Sequence, residues 1–152
     1  MSENKESFCT FISELDTDKG MSINDTMTPW QVMFEQPPPL PLNLETLRQH
    51  FRNVYKLKDE QVEFMIKSAS QSLQTALASA EQALAGDDFC AALVPVAHSL
   101  KGLFLNMGEG EWASLARAME QAARAGEQHE YTVVVQKMRQ GGAVIMADCS
   151  EN

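Results

Sequence analysis

Residues 97–108 combine residue types that can carry out nucleophilic chemistry. Before and through this stretch, apolar residues recur at the i, i+3/i+4 and i+7 spacing of an amphipathic helix. These positions are Phe89, Leu93, Val96, Ala97, Leu100, Phe104 and Met107. At about 100° per residue, His98 lies roughly 150° from the centre of the apolar stripe. The spacing therefore predicts an imidazole that faces water on a helix anchored in a core.

The side chains around His98 are suited to receiving a visiting partner. Lys101 supplies a cation one turn along the helix, and Gly102 has no side chain to obstruct an approach. An apolar collar completes this outer face and consists of Ala91, Val94, Pro95 and Leu105. We predict that these four residues dock a partner around a nucleophilic histidine.

The spaced residues from His98 onward resemble the pattern of the histidine-containing phosphotransfer (Hpt) domain family. That pattern is H-x-L-K-G, an Asn and a Gly that close the helix, then Leu-x-x-Leu/Met-Glu and Arg-x-Gly. The matching residues are His98, Leu100, Lys101, Gly102, Asn106, Gly108, Leu115, Met119, Glu120, Arg124 and Gly126. The match covers about thirty residues, and the helical pattern extends it over the last two-thirds of the chain.

The resemblance implies a phosphoryl carrier rather than a complete enzyme. His98 would accept a phosphoryl group from an aspartyl phosphate on a receiver domain and pass it to another response regulator. Lys101 would neutralise charge on the phosphoryl oxygens, and Gly102 would leave room for the group and the partner's loop. The implied partners are response-regulator receiver domains and a (hybrid) sensor histidine kinase. We expect no cofactor or metal of the chain's own, with Mg²⁺ brought by the receiver.

The sequence supports three other function classes less well. An Hpt-like module that docks a receiver or kinase without being phosphorylated is the main alternative. A di-iron bundle enzyme is disfavoured because Glu-x-x-His pairs are absent. A histidine kinase is excluded, since the chain has no Gly-rich nucleotide-binding region and too little length for one.

The elements that position the histidine are predicted to be helices. Asn43 is expected to cap a first, short helix, Asp59 to cap a longer one that ends at Gly86, and Asp87 or Asp88 to start the histidine helix. A fourth helix follows Gly108 and Gly110 and closes at Gly126, and the last runs from about Gln128. The predicted fold class is all-α, an antiparallel four-helix bundle over residues 43–148 with a short additional N-terminal helix.

Residues 1–42 differ from the rest of the chain and end in a proline run at 37–41. We interpret them as an extension or linker that is partly disordered or packed on the bundle. Phe8–Leu15 has the spacing of a short helix, and Trp30–Phe34 has apolar residues that would suit folding back. A ligand for a proline-binding domain is the less favoured interpretation of the proline run.

Composition limits the compartment and the partners. The net charge of −9 argues against nucleic acid or an anionic membrane. No apolar run approaches the roughly 20 residues of a membrane span, and Met1–Glu6 is unlike an export signal. Cys9, Cys90 and Cys149 are expected to be reduced thiols. We therefore expect a cytoplasmic, free-standing monomer.

Several positions leave alternatives open. Pro95 removes a hydrogen bond within the histidine helix and is either tolerated or tunes how the imidazole is presented. Leu105 is bulkier than is common in the family, and either extends the docking patch or crowds a receiver. Gly141–Gly142 either frays the last helix or allows close packing.

Other polar residues and glycines receive a structural interpretation. His50 and His129 are interpreted as surface residues. Glu120 and Arg124 are interpreted as an exposed ion pair, and Asn106 and Gly108 as helix-end residues.

Overall fold

The computed structural model describes residues 37–150, with side chains described as far as residue 147. This part of the chain forms six helices and contains no strand, which confirms the all-α fold class. In chain order the helices are α1 (Leu44–Val54), α2 (Asp59–Leu84), α3 (Phe89–Asn106), α4 (Gly110–Arg124), α5 (Tyr131–Gly141) and α6 (Ala143–Ser150).

The four-helix bundle consists of α2, α3, α4 and the consecutive pair α5 and α6. Helix α3 packs against both α2 and α4, while α2 also packs against α1, α5 and α6. Short connections reverse the chain between successive bundle helices. The predicted additional helix is present as α1, and it lies against α2.

The helix boundaries follow from local chemistry. Asn43 caps α1, because its Oδ1 accepts a hydrogen bond from the Thr46 backbone N–H at 2.9 Å. The predicted cap at Asp59 was wrong by one residue: Lys58 occupies the N-cap position, and the Gln61 side chain accepts its N–H at 2.8 Å. Asp88, one of the two predicted positions, occupies the N-cap of α3, although its side chain makes no capping hydrogen bond.

The last bundle helix begins at Tyr131 rather than Gln128 and is interrupted at Gly142. A Cβ at Gly141 would overlap the buried ring of Trp112, and a Cβ at Gly142 would lie 2.7 Å from Leu73 Cδ2. The two glycines therefore allow close packing, which decides between the two alternatives left open by the sequence.

The end of the proline run is attached to the bundle. The Leu40 carbonyl accepts a hydrogen bond from Trp112 Nε1 at 2.8 Å, and the Leu42 N–H donates to the Gly141 carbonyl at 2.8 Å. Leu42 is buried. The expectations for Phe8–Leu15 and Trp30–Phe34 lie outside the described residues, and the division of the chain at residue 43 stays a prediction.

Helix α3 carries the candidate site and also contributes to the core. Its inward face is fully buried and consists of Leu93, Ala97, Leu100 and Phe104. By length and composition alone this 18-residue helix would also qualify as a membrane span. That is weak support for a membrane span, because the apolar core helix of a bundle meets the same test. The expectation of no membrane partner stays a prediction.

Candidate functional site

The structure places His98 on the outer face of α3, where the helical spacing puts it. Its side chain is 65% exposed, while Ala97 on the preceding position is buried. One edge of the imidazole faces α4, since His98 Nδ1 lies 3.1 Å from Glu120 Oε2. The other ring nitrogen, Nε2, makes no hydrogen bond that the structure records among the described residues.

Glu120 corrects the prediction of an exposed ion pair. Its side chain is only 8% exposed, and its carboxylate contacts three basic side chains rather than Arg124 alone. Arg124 Nη2 donates to Oε2 at 2.6 Å, and Lys101 Nζ lies 3.4 Å from Oε1. The buried carboxylate therefore joins α3 to α4 at the level of the histidine.

The contacts of Glu120 keep the carboxylate ionised. Burial by itself would raise its pKa, but hydrogen bonds from Arg124, His98 and Lys101 outweigh burial and hold the pKa of Glu120 below its ordinary value. An ionised carboxylate can only accept hydrogen bonds. The proton between the two side chains therefore sits on His98 Nδ1, and neutral His98 carries its lone pair on Nε2.

Lys101 and Gly102 lie on the two sides of His98. Lys101 is half-buried and points toward α4 through its contact with Glu120. Gly102 lies on the side that faces α2, and a Cβ built on it would meet no atom within 4 Å. The fold brings a cation, a carboxylate and an open helix surface together around one exposed imidazole.

Comparison with known families agrees with this geometry. The model of the Hpt domain matches residues 65–141, which is half of the chain and includes His98, Lys101, Gly102 and Glu120. The chain belongs to the Hpt domain family. Comparisons with curated proteins and with solved structures found no match.

The collar predicted to dock a partner of this Hpt domain lies mostly in solvent. Ala91 and Pro95 are exposed, and Leu105 is 56% exposed seven residues beyond His98. Val94 is half-buried and packs partly against the core. Three of the four side chains are thus exposed and Val94 is half-buried, while the docking role of all four stays a prediction. Helix α3 continues through Pro95.

His50 corrects another sequence interpretation, since it is more than a surface residue. Its Nε2 lies 3.0 Å from the Asn106 carbonyl, which also accepts a hydrogen bond from the Tyr55 hydroxyl at 3.3 Å. The His50 ring lies against Gly108, which has a φ of +78°. Gly108 and Glu109 donate to the Leu105 and Phe104 carbonyls. Asn106 and Gly108 therefore do end the helix, and α1 holds that end in place.

The remaining histidine and the described thiol lie away from this site. His129 is partly buried and pairs with Glu127 through Nε2 and Oε1 at 2.7 Å, so the surface interpretation was incomplete here too. Cys90 is buried, and burial raises the pKa of its thiol, which keeps it protonated and unreactive. Among the described residues no group of three or more His, Cys, Asp or Glu side chains is placed to hold a metal ion.

Proposed function

We propose that His98 accepts a phosphoryl group from the aspartyl phosphate of a receiver domain and passes it to the aspartate of another response regulator. Hpt domains are phosphocarrier modules of two-component signalling and interact with receivers and histidine kinases. The observation that carries the proposal for this chain is the hydrogen bond between His98 Nδ1 and Glu120, because it directs the second ring nitrogen outward as a nucleophile.

The transfer consists of one displacement at phosphorus. The lone pair on His98 Nε2 attacks in line, the P–N bond forms, and the P–O bond to the receiver's aspartate breaks so that its electrons return to the carboxylate. The ring becomes a cation that keeps its proton on Nδ1, and Glu120 stabilises that cation. The reverse displacement by a second receiver's aspartate restores neutral His98.

The two cations beside Glu120 are suited to stabilise the negative charge of an incoming phosphoryl group. Lys101 lies one turn from His98, and Arg124 is largely exposed although it contacts Glu120. Both are placed to attract phosphoryl oxygens while Glu120 alone would repel them. We infer that the partner supplies Mg²⁺, since acidic residues beside the receiver's aspartate can hold that ion against the phosphoryl oxygens.

A receiver that docks must also contact a surface around the His98 imidazole. We infer that Ala91, Pro95 and Leu105, with the exposed part of Val94, contact the receiver around the imidazole. Half of the active site then lies on the partner, so the chain is a carrier that cycles between two proteins. We further infer that it acts as a cytoplasmic monomer.

The experiment mixes the full-length protein with a ³²P-labelled receiver and Mg²⁺. Label that appears on the wild type, is lost in acid and survives alkali supports the proposal when His98→Gln takes up none. His129→Gln is the matched control and is expected to label like the wild type. A wild type that binds the receiver but never labels would instead support the non-phosphorylated docking module.

A further inference from the structure

A groove of about 550 Å³ lies where α1 meets the junction of α5 and α6. The backbone enters the described fold along this groove, since Pro41 and Leu42 form part of its lining. Apolar side chains from both sides complete its walls, with Leu44 on α1 and Val144 on α6. None of the lining residues belongs to α3, the helix that carries His98.

Two large apolar side chains at this groove are exposed, although the backbone beside them is held in place. Val144 is 46% exposed in the first turn of α6, and Leu40, which directly precedes the lining residues, is 82% exposed. The Leu40 carbonyl accepts a hydrogen bond from the Trp112 indole, and the Leu42 N–H donates to the Gly141 carbonyl. The described residues therefore leave a fixed apolar surface open around a concavity, which is the usual form of a binding groove.

The chain itself contains a segment that suits this surface. Residues 26–34 include no charged side chain, whereas the preceding 25 residues include six acidic ones. Trp30, Val32 and Phe34 follow one another at every second position of this uncharged segment. Aromatic side chains bury about 150–250 Å² each, so these residues can cover an apolar groove that the acidic residues before them cannot.

The point at which the described chain begins lies close to the groove. Pro37 is the first described residue, and Phe34 and Trp30 precede it by three and seven positions. The intervening residues can span up to about 25 Å, which is enough for the chain to turn back onto a groove that begins at Pro41. A segment tethered at this distance has an effective concentration on the order of millimolar, which favours it over a second copy or a separate protein.

From this placement we propose that residues 30–34 of the chain dock in the groove between α1 and α6 and cover Leu40 and Val144. The N-terminal segment is then anchored on a part of the surface to which α3 contributes no residue. It is an added piece of the fold that leaves the His98 imidazole open. Docking of this segment does not depend on phosphoryl transfer.

Trp30 reports directly on this docking in the full-length protein. Labelling with 5-fluorotryptophan gives two ¹⁹F resonances, one from Trp30 and one from Trp112, and the variant Trp30→Phe assigns them. The solvent isotope shift in D₂O measures how far each ring contacts water. Chymotrypsin, which cleaves after aromatic residues, gives a second readout, because cleavage follows the population of the open form when opening is fast.

Two valines that are exposed in the described fold form a matched pair for the test. Val144→Glu places a carboxylate in the groove, and Val54→Glu places one at the end of α1, outside the groove. Without an occupant, Val144→Glu would be the more favourable change, because Val144 lies near a helix N-terminus and Val54 near a C-terminus. Phe34→Ser alters only the segment and carries the test if Val144→Glu fails to fold.

In the wild type we expect a small isotope shift for Trp30, close to that of the buried Trp112. Val144→Glu and Phe34→Ser should bring the shift of Trp30 close to that of free 5-fluorotryptophan. Both should also speed cleavage after Trp30 about tenfold or more, because a buried carboxylate or a lost aromatic ring opposes docking. Val54→Glu should change the cleavage rate less than about twofold.

A full isotope shift of Trp30 in the wild type would overturn the docking. Shielding of Trp30 that survives Val144→Glu, or that Val54→Glu removes equally, would contradict the choice of groove. Shielding that falls on dilution would contradict the proposed occupant, because a second copy would then supply it. Labelling of His98 by a phosphorylated receiver should keep the wild-type rate in Val144→Glu, and faster labelling would contradict an anchor that leaves the histidine open.

Discussion

A single buried carboxylate organises the residues around His98. Glu120 contacts the imidazole, Lys101 and Arg124 at once, and it therefore sets the proton position on His98 and holds two cations near the nucleophile. The negative charge is stabilised by three donors, which is why it is tolerated at this depth. In the proposed transfer, Glu120 is thus a positioning residue that acts through His98.

Replacing Glu120 tests this role at the level of one residue. Glu120→Ala removes the acceptor for Nδ1–H and should slow transfer on the order of tenfold to a hundredfold, as when a histidine loses an orienting carboxylate. Glu120→Gln keeps an oxygen acceptor and should recover part of the rate. Histidine ¹⁵N spectra should show the Nδ1–H tautomer of His98 in the wild type and a mixture in the alanine variant. An unchanged tautomer with an unchanged rate would refute the role.

Glu120 also predicts a pH dependence of stability. Because the folded-state pKa lies below the ordinary value, the carboxylate stabilises the fold above a pH of about 4.3, and the effect is lost as the pH falls through the lowered pKa. At pH 7, Glu120→Gln should lower the free energy of unfolding by about 1–2 kcal/mol. Urea titrations should show this difference shrinking as the pH is lowered below about 4. A constant difference across that range would contradict the ionised, bonded state.

At the scale of the helix, alanine substitutions at two helical glycines, Gly102 and Gly141, are expected to change the free energy of unfolding in opposite directions. Gly102→Ala should raise the free energy of unfolding by up to about 1 kcal/mol, because the new methyl group meets no atom within 4 Å and alanine favours the helix. The same change should impair the proposed transfer, since the methyl group would fill space one turn from His98 that a docked receiver is expected to need. Stability is measured by urea titration and transfer with a labelled receiver. A variant that is more stable and fully active would remove the functional reason for the glycine.

Gly141→Ala is the structural counterpart. Its Cβ would overlap the Trp112 ring, which is fixed by its hydrogen bond to Leu40 and by stacking on Phe104. Overpacking of this kind should lower the free energy of unfolding by about 1–3 kcal/mol. A neutral effect in the urea titration would mean that the α5–α6 junction moves freely away from α4.

The connection between α1 and α2 contains strain that a substitution should relieve. Lys56 has a φ of +57°, a conformation unfavourable for any residue with a Cβ. Lys56→Gly should raise the free energy of unfolding by about 0.5–1 kcal/mol, as a lower cost in the folded state outweighs the greater freedom of the unfolded chain. Lys58→Gly, at a φ of −82°, is the control and should not stabilise. Similar effects of both variants in chemical denaturation would contradict this reason.

At the scale of the whole molecule, the sequence was sufficient to predict the features that the local spacing of residues determines. The apolar stripe on α3 predicted that His98 stays outside the core and placed most core residues correctly, because helical periodicity fixes those directions. Phe89 and Val96, at the edges of the stripe, are only partly buried. The Hpt family was also predictable from the spaced motif. The caps at Asn43 and Gly108 followed from residue type in the same way.

Long-range pairing could not be predicted from local pattern. On α4 alone, Glu120 and Arg124 form an ordinary i, i+4 pair, and only the packing of α3 against α4 buries the carboxylate under His98. His50 likewise reaches Asn106 across 56 residues of sequence.

We propose that Glu120 holds the proton on Nδ1 so that the outward Nε2 of His98 takes the phosphoryl group. The most direct test is ¹⁵N and ³¹P NMR of the histidine-labelled protein after incubation with a phosphorylated receiver and Mg²⁺. A single P–N bond at Nε2 of His98, with Nδ1 still protonated, is the predicted result. A phosphoryl group on Nδ1 of His98, or on His50 or His129, would contradict it.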